Sequence, residues 1–176
     1  MDITITPKKL SGPITPPPSK SQAHRLIITA CLGAGVSRIS NLKFSQDIRA
    51  TLSCMEQLGA RWEQTNGDTI QITGIGADKS KSGSRLPRFD CGESGSTLRF
   101  LIPIALAVAG GGVFTGRGRL MERPQQPYFD LFNEKGIFYE QRDGVLTVRG
   151  KLTPGDYALP GNVRSEERRV GKECTS

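Results

Sequence analysis

The feature of this sequence that most constrains its fold is an internal duplication with an offset of about 75 residues. Residues 25–28 return in similar form as residues 99–102, and residues 70–74 return as residues 146–150. A repeated unit of this size cannot bury its apolar faces alone, so neighbouring copies must pack against each other. The duplication therefore predicts stacked copies of one structural unit.

Local signals predict the elements of that unit. Ser19, Ser45 and Ser94 each precede a stretch of helical periodicity and are expected to cap a helix N-terminus. Asn66-Gly67-Asp68 and Asp143-Gly144 each separate two strand-like stretches, as the turns of β-hairpins do. The sequence predicts an α/β (α+β) fold built from repeated helix–strand–helix–hairpin units.

The domain organisation predicted from these units has three parts. Residues 1–18 are expected to form an N-terminal strand and a proline-rich connector, because consecutive prolines cannot donate backbone hydrogen bonds. Residues 19–163 are expected to form a partial first domain, with repeats at 19–80 and 88–150 and the start of a third. Residues 164–176 combine dense mixed charge with few apolar side chains, which predicts a solvated, non-native tail.

The charge balance favours anionic partners. The formal net charge is +7, and the basic residues are scattered rather than gathered with aromatic residues in one stripe. This distribution suits small phosphorylated or carboxylated molecules better than nucleic acid. Four separated cysteines and one histidine lack the spacing of a zinc site, so no metal is expected. Cys31 and Cys54 are interpreted as buried free thiols.

The sequence also predicts a cytoplasmic protein without a membrane segment. The longest apolar run, residues 100–109, is ten residues long and contains Pro103. A helix that crosses a bilayer needs about 20 residues. The first residues have neither the basic start nor the apolar stretch of a signal peptide.

The first candidate anion site is the predicted helix start at residues 19–25. Lys20 lies where free backbone N–H groups and the helix dipole attract an anion. Ser21 and Arg25 are four residues apart and share one helix face, so a hydroxyl and a guanidinium can converge on one phosphate. A capped helix with a solvated Lys20 and Arg25 is the alternative, and the residues alone favour neither interpretation.

Two further candidate sites lie in the second copy. The loop at residues 92–99 places Gly95 before a helix, where the missing side chain lets backbone N–H groups approach a ligand closely. A plain N-cap, with Arg99 in a structural ion pair, is the alternative there. The turn at residues 117–124 is rich in arginine, which suits bidentate binding of carboxylate or phosphate, and a solvated loop is its alternative.

Two isolated residues complete the candidates. Asp47 lies in the first turn of a predicted helix, where a carboxylate helps the helix to start and can orient a nearby cation. His24 has no nucleophile partner at a recognisable spacing and is interpreted as a satisfied surface or core histidine. The sequence contains no nucleophile elbow, P-loop or dinucleotide fingerprint.

Four motifs together resemble the 5-enolpyruvylshikimate 3-phosphate synthase family in order and spacing, from about the N-terminus through Val163. They are Pro18-Ser19-Lys20-Ser21-Gln22-Ala23-His24-Arg25, Asp47-Ile48-Arg49, Cys91-Gly92-Glu93-Ser94-Gly95-Ser96-Thr97-Leu98-Arg99 and Met121-Glu122-Arg123-Pro124. The resemblance implies an incomplete inside-out α/β barrel of the enolpyruvyl transferase type. It also implies transfer of the enolpyruvyl group from phosphoenolpyruvate to the 5-hydroxyl of shikimate 3-phosphate, with release of phosphate, in aromatic amino-acid biosynthesis.

The same resemblance gives each candidate residue a role. The matched positions are catalytic Lys20 and Asp47; shikimate 3-phosphate ligands Lys20, Ser21 and Arg25; phosphoenolpyruvate contacts Lys20, Gly95 and Arg123; and supporting Arg99. The partners implied are the two anionic substrates, with no nucleic acid and no membrane. No metal or organic cofactor is implied, and full-length family members are typically monomeric.

The sequence departs from the family after Val163. The family has a Ser-Ser-Gln motif that binds both substrates, whereas this chain has Arg164-Ser165-Glu166. Glu166 would repel an anionic substrate where a neutral amide is expected. The rest of the first domain and the second domain are also absent from the sequence. We therefore interpret the chain as a truncated reading frame and expect it to be inactive alone.

Three alternatives stay open. The sister enolpyruvyl transferase that acts on UDP-N-acetylglucosamine shares the fold but lacks the S-K-S-x-x-x-R cluster. A basic, non-enzymatic module for RNA or generic anions would bind with a steep dependence on salt. The third alternative is an inert, partly unfolded segment, because a half-built barrel exposes apolar helix faces.

Overall fold

The computed structural model describes residues 4, 9, 11–76 and 85–158. Two mixed units of helix and sheet follow each other within this part. The elements of the first unit are α1 (Lys20–Leu32), β1 (Val36–Ile39), α2 (Gln46–Gln57), β2 (Arg61–Asn66) and β3 (Thr69–Thr73). The elements of the second unit are β4 (Arg88–Asp90), α3 (Gly95–Ala109), β5 (Gly111–Thr115), a 3-10 helix (Leu120–Glu122), α4 (Gln126–Lys135), β6 (Phe138–Arg142) and β7 (Val145–Arg149).

The two units share one strand topology. The first sheet has the order β1-β3-β2, and the second has the order β4-β5-β7-β6. In each unit the last strand pairs antiparallel with two neighbours, β3 with β1 and β2, and β7 with β5 and β6. The registers also correspond, since Val36 pairs with Thr73 and Gly111 pairs with Arg149. The predicted repeat of a helix–strand–helix–hairpin unit is therefore confirmed.

Serine caps begin the first three helices, as predicted. Each cap residue has extended backbone dihedrals and accepts a hydrogen bond from the backbone N–H three residues ahead, which satisfies a donor without a partner inside the helix. The pairs of cap and donor are Ser19 with Gln22, Ser45 with Ile48, and Ser94 with Thr97. The cap rule thus locates the helix starts that carry most of the candidate site residues.

The hairpin turns were predicted with one correction. Asp143 and Gly144 connect β6 to β7, and both have positive φ, 52° and 73°, as a tight two-residue turn requires. In the first unit Asn66 belongs to β2 and pairs with Thr69, so it is not part of the turn. A register shift between Gln64 and Asn66 lets the strand continue for one residue further than the sequence pattern indicates.

Two elements were missed from the sequence. Strand β4 has only three residues, which is too short for an alternating pattern, and it pairs in parallel with β5. The 3-10 helix lies inside the arginine-rich turn, where it buries Leu120. The turn is thus partly packed rather than wholly solvated.

Helix α2 joins the two units. It contacts α1 within the first unit and both α3 and β4 of the second. Its residues Ile48, Leu52 and Met55 are fully buried in a core that is continuous with Leu98 and Phe114 of the second unit. Cys31 and Cys54 are buried free thiols, as predicted. None of the helices described here is long and apolar enough to cross a membrane.

Several predictions concern residues outside the described part of the chain. Most of the predicted N-terminal strand, the end of the predicted third repeat and the whole tail from 164 to 176 lie there. The departure at Arg164-Ser165-Glu166 lies there as well. The domain boundaries and the non-native character of the tail therefore stay predictions.

Candidate functional site

An ion pair joins the first turns of α1 and α2. The Nζ atom of Lys20 lies 2.7 Å from Oδ2 of Asp47, and the two side chains are 58% and 28% exposed. An ammonium has three N–H donors, so this contact leaves donors free for a ligand. The Asp47 carboxylate thus fixes the position of the Lys20 ammonium at the junction of two helix N-termini, where backbone N–H groups also favour an anion.

Ser21 and Arg25 converge on the exposed face of α1. The Nη1 atom of Arg25 donates to the backbone oxygen of Ser21 at 3.1 Å and also to the Ser21 hydroxyl. The guanidinium carbon lies 5.5 Å from the ring centroid of Phe100 on α3. Stacking on an aromatic ring fixes the plane of the guanidinium while its edges stay available for an anion.

A small cavity lies between the starts of α1 and α2. Its volume is about 80 Å³, roughly that of two or three waters at about 30 Å³ each. The lining residues are Pro18, Ser19, Lys20, Ala23, Lys43 and Ser45. Lys43 was missed from the sequence because it precedes the Ser45 cap and belongs to no motif. It adds a second lysine to the lining of the cavity beside Lys20.

Gly95 opens α3 beside two guanidinium groups. A Cβ atom built on Gly95 would lie 3.0 Å from Nη1 of Arg123 and 3.5 Å from Nη1 of Arg99. Arg123 is exposed and forms no ion pair with a carboxylate of the described residues. The backbone oxygen of Arg99 accepts a hydrogen bond of 2.8 Å from Tyr128. The absent side chain thus leaves room beside two cations at a helix N-terminus.

The other arginines of the turn at residues 117–124 have carboxylate partners. Arg117 pairs with Asp90 at 3.2 Å, and Arg119 pairs with Glu122 at 3.0 Å. The backbone N–H of Arg117 donates to the Gly92 oxygen at 2.7 Å, which docks the turn on the loop before α3. Among the arginines of this turn, Arg123 is the one whose guanidinium lies next to Gly95.

A buried chain of side-chain hydrogen bonds lies beneath these exposed groups. Nδ1 of His24 is 2.8 Å from the Thr51 hydroxyl, which is 2.7 Å from the Thr97 hydroxyl. The Thr97 hydroxyl donates to the Ser94 hydroxyl at 2.7 Å. All four residues are buried, and His24, Thr51 and Thr97 are 0% exposed. The sequence predicts a satisfied surface or core histidine; His24 lies in the core, with Nδ1 paired and Nε2 without a partner among the described residues.

Burial sets the protonation state of His24. Desolvation lowers the pKa of the imidazole below its ordinary value of 6.5; Asp47 raises it, and Lys20 and Arg25 lower it further. The imidazole is therefore neutral at neutral pH, with one donor and one acceptor nitrogen.

Two of the buried cysteines, Cys31 and Cys91, do not supply a reactive thiolate. Burial raises the pKa of the Cys31 thiol to about 12. The pKa of the Cys91 thiol is also raised, first by a hydrogen bond with Cys54 and then by burial. A thiol must lose its proton to act as a nucleophile, so neither residue is suited to that chemistry at neutral pH.

Comparison with known proteins assigns the family. The family model described as EPSP synthase (3-phosphoshikimate 1-carboxyvinyltransferase) matches residues 5–164. The chain belongs to this family. Among the relatives named 3-phosphoshikimate 1-carboxyvinyltransferase, that of Clostridium beijerinckii is 44% identical over 170 residues, and that of Clostridioides difficile is 43% identical over 172 residues. These alignments cover 94% and 93% of this chain, but only 39% of either relative.

Solved EPSP synthases share the fold of the described segment. A structure of EPSP synthase from Acinetobacter baumannii superposes with a TM-score of 0.71 at 24% sequence identity. The superposition covers 85% of this chain and 34% of that enzyme. The predicted mixed helix and sheet fold, as an incomplete enolpyruvyl transferase, is therefore confirmed.

Contacts connect the residues that the sequence pointed to. Lys20 reaches Asp47, and the backbone oxygen of Asp47 lies 3.4 Å from the Thr97 hydroxyl oxygen. Thr97 lies in the first turn of α3 with Gly95, which adjoins Arg123. A path of contacts that passes through the buried Thr97 thus connects Lys20 with Gly95 and Arg123 across the starts of three helices.

Proposed function

We propose that this chain supplies one substrate-binding surface of an EPSP synthase. The reaction transfers the enolpyruvyl group of phosphoenolpyruvate to the 5-hydroxyl of shikimate 3-phosphate. A C–O bond forms at the hydroxyl oxygen, the hydroxyl proton leaves, and the bond from the enolpyruvyl carbon to the phosphate oxygen breaks. The observation that carries the proposal is the Lys20–Asp47 ion pair between two cationic corners, in a chain of this family.

The first corner is proposed to bind shikimate 3-phosphate. Its groups are the Ser21 hydroxyl, the Arg25 guanidinium and the Lys20 ammonium, all at the exposed start of α1. Charge-assisted hydrogen bonds of this kind contribute about 1.5–3 kcal/mol each. The stacking of Arg25 on Phe100 supports this assignment, because a fixed guanidinium loses less freedom when it binds.

The second corner is proposed to bind phosphoenolpyruvate. Arg123 and the free backbone N–H groups at the start of α3 face the space above Gly95, with Arg99 in support. A carboxylate and a phosphate both suit a guanidinium next to a helix N-terminus.

Lys20 is proposed to act between the two substrates. Its ammonium can stabilise negative charge that develops as phosphate departs, and Asp47 keeps it directed. An ammonium positioned next to both ligands can also pass a proton during the transfer. Lys20 and Asp47 are thus proposed as the catalytic residues of this segment.

A chimaera tests the proposal under turnover. Residues 5–163 replace the corresponding segment of the Clostridium beijerinckii relative, because this chain spans 39% of that relative and departs from the family motif at Arg164. We expect the chimaera to release phosphate from the substrate pair. We expect Lys20→Ala to lower kcat by about a hundredfold or more, as loss of a group that stabilises transition-state charge does.

The matched control is Lys151→Ala, which removes an exposed lysine just after β7. It should leave kcat unchanged. A chimaera whose Lys20→Ala variant keeps its kcat would contradict the proposal. The 176-residue chain by itself is expected to release no phosphate from the pair.

A further inference from the structure

We propose that His24, Thr51, Thr97 and Ser94 form a positioning relay that holds the start of α3 at a fixed distance from the start of α1. The relay links three helices through side chains that are 46 and 27 residues apart in sequence. Its outer ends lie beneath the two corners that bind the substrates in the proposed function, on which this inference rests.

The geometry of the relay is that of strong neutral hydrogen bonds. Its hydroxyl–hydroxyl distances are both 2.7 Å, and its distance between nitrogen and hydroxyl is 2.8 Å. The hydroxyl–hydroxyl distances are those most common for O–H···O hydrogen bonds, and the distance to the ring nitrogen is at the short end of its range. Because the side chains of the relay are buried, water does not compete for their hydrogen bonds, and each hydrogen bond polarises the next. The relay therefore resists stretching more than solvated contacts between the same helices would.

A count of protons gives the relay a direction. The Nε2 atom of His24 is buried and has no partner among the described residues. Placing the ring proton on Nε2 would bury an unpaired donor, whereas placing it on Nδ1 leaves only a lone pair without a partner. With the proton on Nδ1, the imidazole donates to Thr51, Thr51 to Thr97, and Thr97 to Ser94.

The relay also fixes the residue that directs Lys20. The backbone oxygen of Asp47 lies 3.2 Å from the Thr51 hydroxyl oxygen and 3.4 Å from the Thr97 hydroxyl oxygen, so the relay packs directly against it. A shift of α3 would therefore move the turn that carries the Asp47 carboxylate. The relay thus sets both the spacing of the two corners and the position of the Lys20–Asp47 ion pair.

The first test measures the relay without any ligand. Hydrogen exchange of backbone amides is followed by NMR in the 176-residue chain and in its Thr51→Val variant. The Thr97 N–H donates to Ser94 at 3.2 Å and the Leu98 N–H donates to the Ser94 backbone oxygen at 3.1 Å. We expect both amides, on a helix that Thr51 does not belong to, to exchange about fivefold faster in the variant.

Two companion variants separate positioning from general destabilisation. Thr51→Ser restores the hydroxyl and should restore slow exchange. Thr69→Val makes the same chemical change at a residue that is 2% exposed, whose hydroxyl bonds only locally, to Asp68. It should leave the exchange rates of the Thr97 and Leu98 amides unchanged. Equal acceleration of the Thr97 and Leu98 amides by Thr51→Val and Thr69→Val would overturn the relay.

The second test reads communication between the corners. Shikimate 3-phosphate is titrated into the chain while the amide signals of Gly95 and Ser96 are recorded. We expect the chemical shifts of these amides to change when shikimate 3-phosphate binds to the first corner. In Thr51→Val the change should be at least twofold smaller, while the affinity for shikimate 3-phosphate stays the same. An undiminished shift in Thr51→Val would contradict the relay. A wild-type chain that does not bind shikimate 3-phosphate would contradict the proposed function instead, and the exchange test would still decide the relay.

Discussion

The ammonium of Lys20 lies 2.7 Å from the carboxylate of Asp47, although the two residues are 27 positions apart in sequence. Neither residue is deeply buried, so the pair adds little to the stability of the fold. Its effect is directional, because Asp47 holds a flexible cation over the junction of two helix starts.

Removing the charge of Asp47 should separate binding from turnover. Asp47→Asn keeps the shape of the side chain but loses the ion pair, so the Lys20 ammonium is no longer directed. In the chimaera we expect kcat to fall about tenfold or more, the loss expected for one charge-assisted hydrogen bond. The KM for shikimate 3-phosphate should stay the same or fall, because one negative charge near the anion is gone. Glu122→Gln, which breaks the exposed pair with Arg119, is the control and should change neither value.

A methyl group on Gly95 should weaken the second corner without harming the fold. The new Cβ would meet Nη1 of Arg123 at 3.0 Å, and the end of a flexible side chain can move away. We expect Gly95→Ala to raise the KM for phosphoenolpyruvate in the chimaera by about tenfold, as the loss of one charge-assisted contact would. Its Tm should match that of Gly67→Ala, where a Cβ would meet nothing within 4 Å. An unchanged KM would show that Arg123 and Gly95 do not form a ligand site.

Gly74 tests the packing of the first unit. A Cβ there would lie 2.1 Å from the Gly33 oxygen and 2.5 Å from the Ala30 oxygen, both of them backbone atoms that cannot yield cheaply. We expect Gly74→Ala to lower the free energy of unfolding by about 1–3 kcal/mol, as overpacking does. Urea unfolding of the chain measures this loss, and a change as small as that of Gly67→Ala would contradict the close approach of α1 and β3.

The buried imidazole should make the chain less stable in mild acid. The pKa of His24 is below 6.5 in the folded state, chiefly because of burial, so below pH 6.5 the unfolded chain binds the proton more readily. His24 therefore causes stability to fall as the pH decreases from 6.5 towards the lowered pKa, and causes no loss above 6.5. His24→Gln should show a smaller decrease in the free energy of unfolding between pH 7.5 and 5.5. Because His24 is the only histidine, its imidazole signals can be followed by NMR without assignment.

Local features of this fold could be predicted from the sequence. Ser19, Ser45 and Ser94 act through donors only three residues away, and the Asp143-Gly144 turn acts through its own dihedrals. Short-range signals of this kind are visible in a single sequence. The duplication predicted two similar units, and the last strand of each unit does pair antiparallel with two neighbours.

Features that depend on distant residues could not be predicted. Thr51 and Thr97 meet only because α2 and α3 pack, and nothing near either threonine in sequence marks it. Lys43 comes to the Lys20 cavity for the same reason. Strand β4 was missed because its three residues take their conformation from pairing with β5. Tertiary packing, rather than local propensity, determines these features.

Calorimetric titration of the 176-residue chain with shikimate 3-phosphate is the sharpest test of the proposed binding site. We expect saturable binding at one site, little displacement by an equal concentration of sulfate, and loss of binding in Arg25→Ala but not in Arg119→Ala. Binding that sulfate displaces equally well, or that the Arg25 and Arg119 variants weaken to the same extent, would instead show a general attraction of anions to a basic chain and would rule out a specific site at the start of α1.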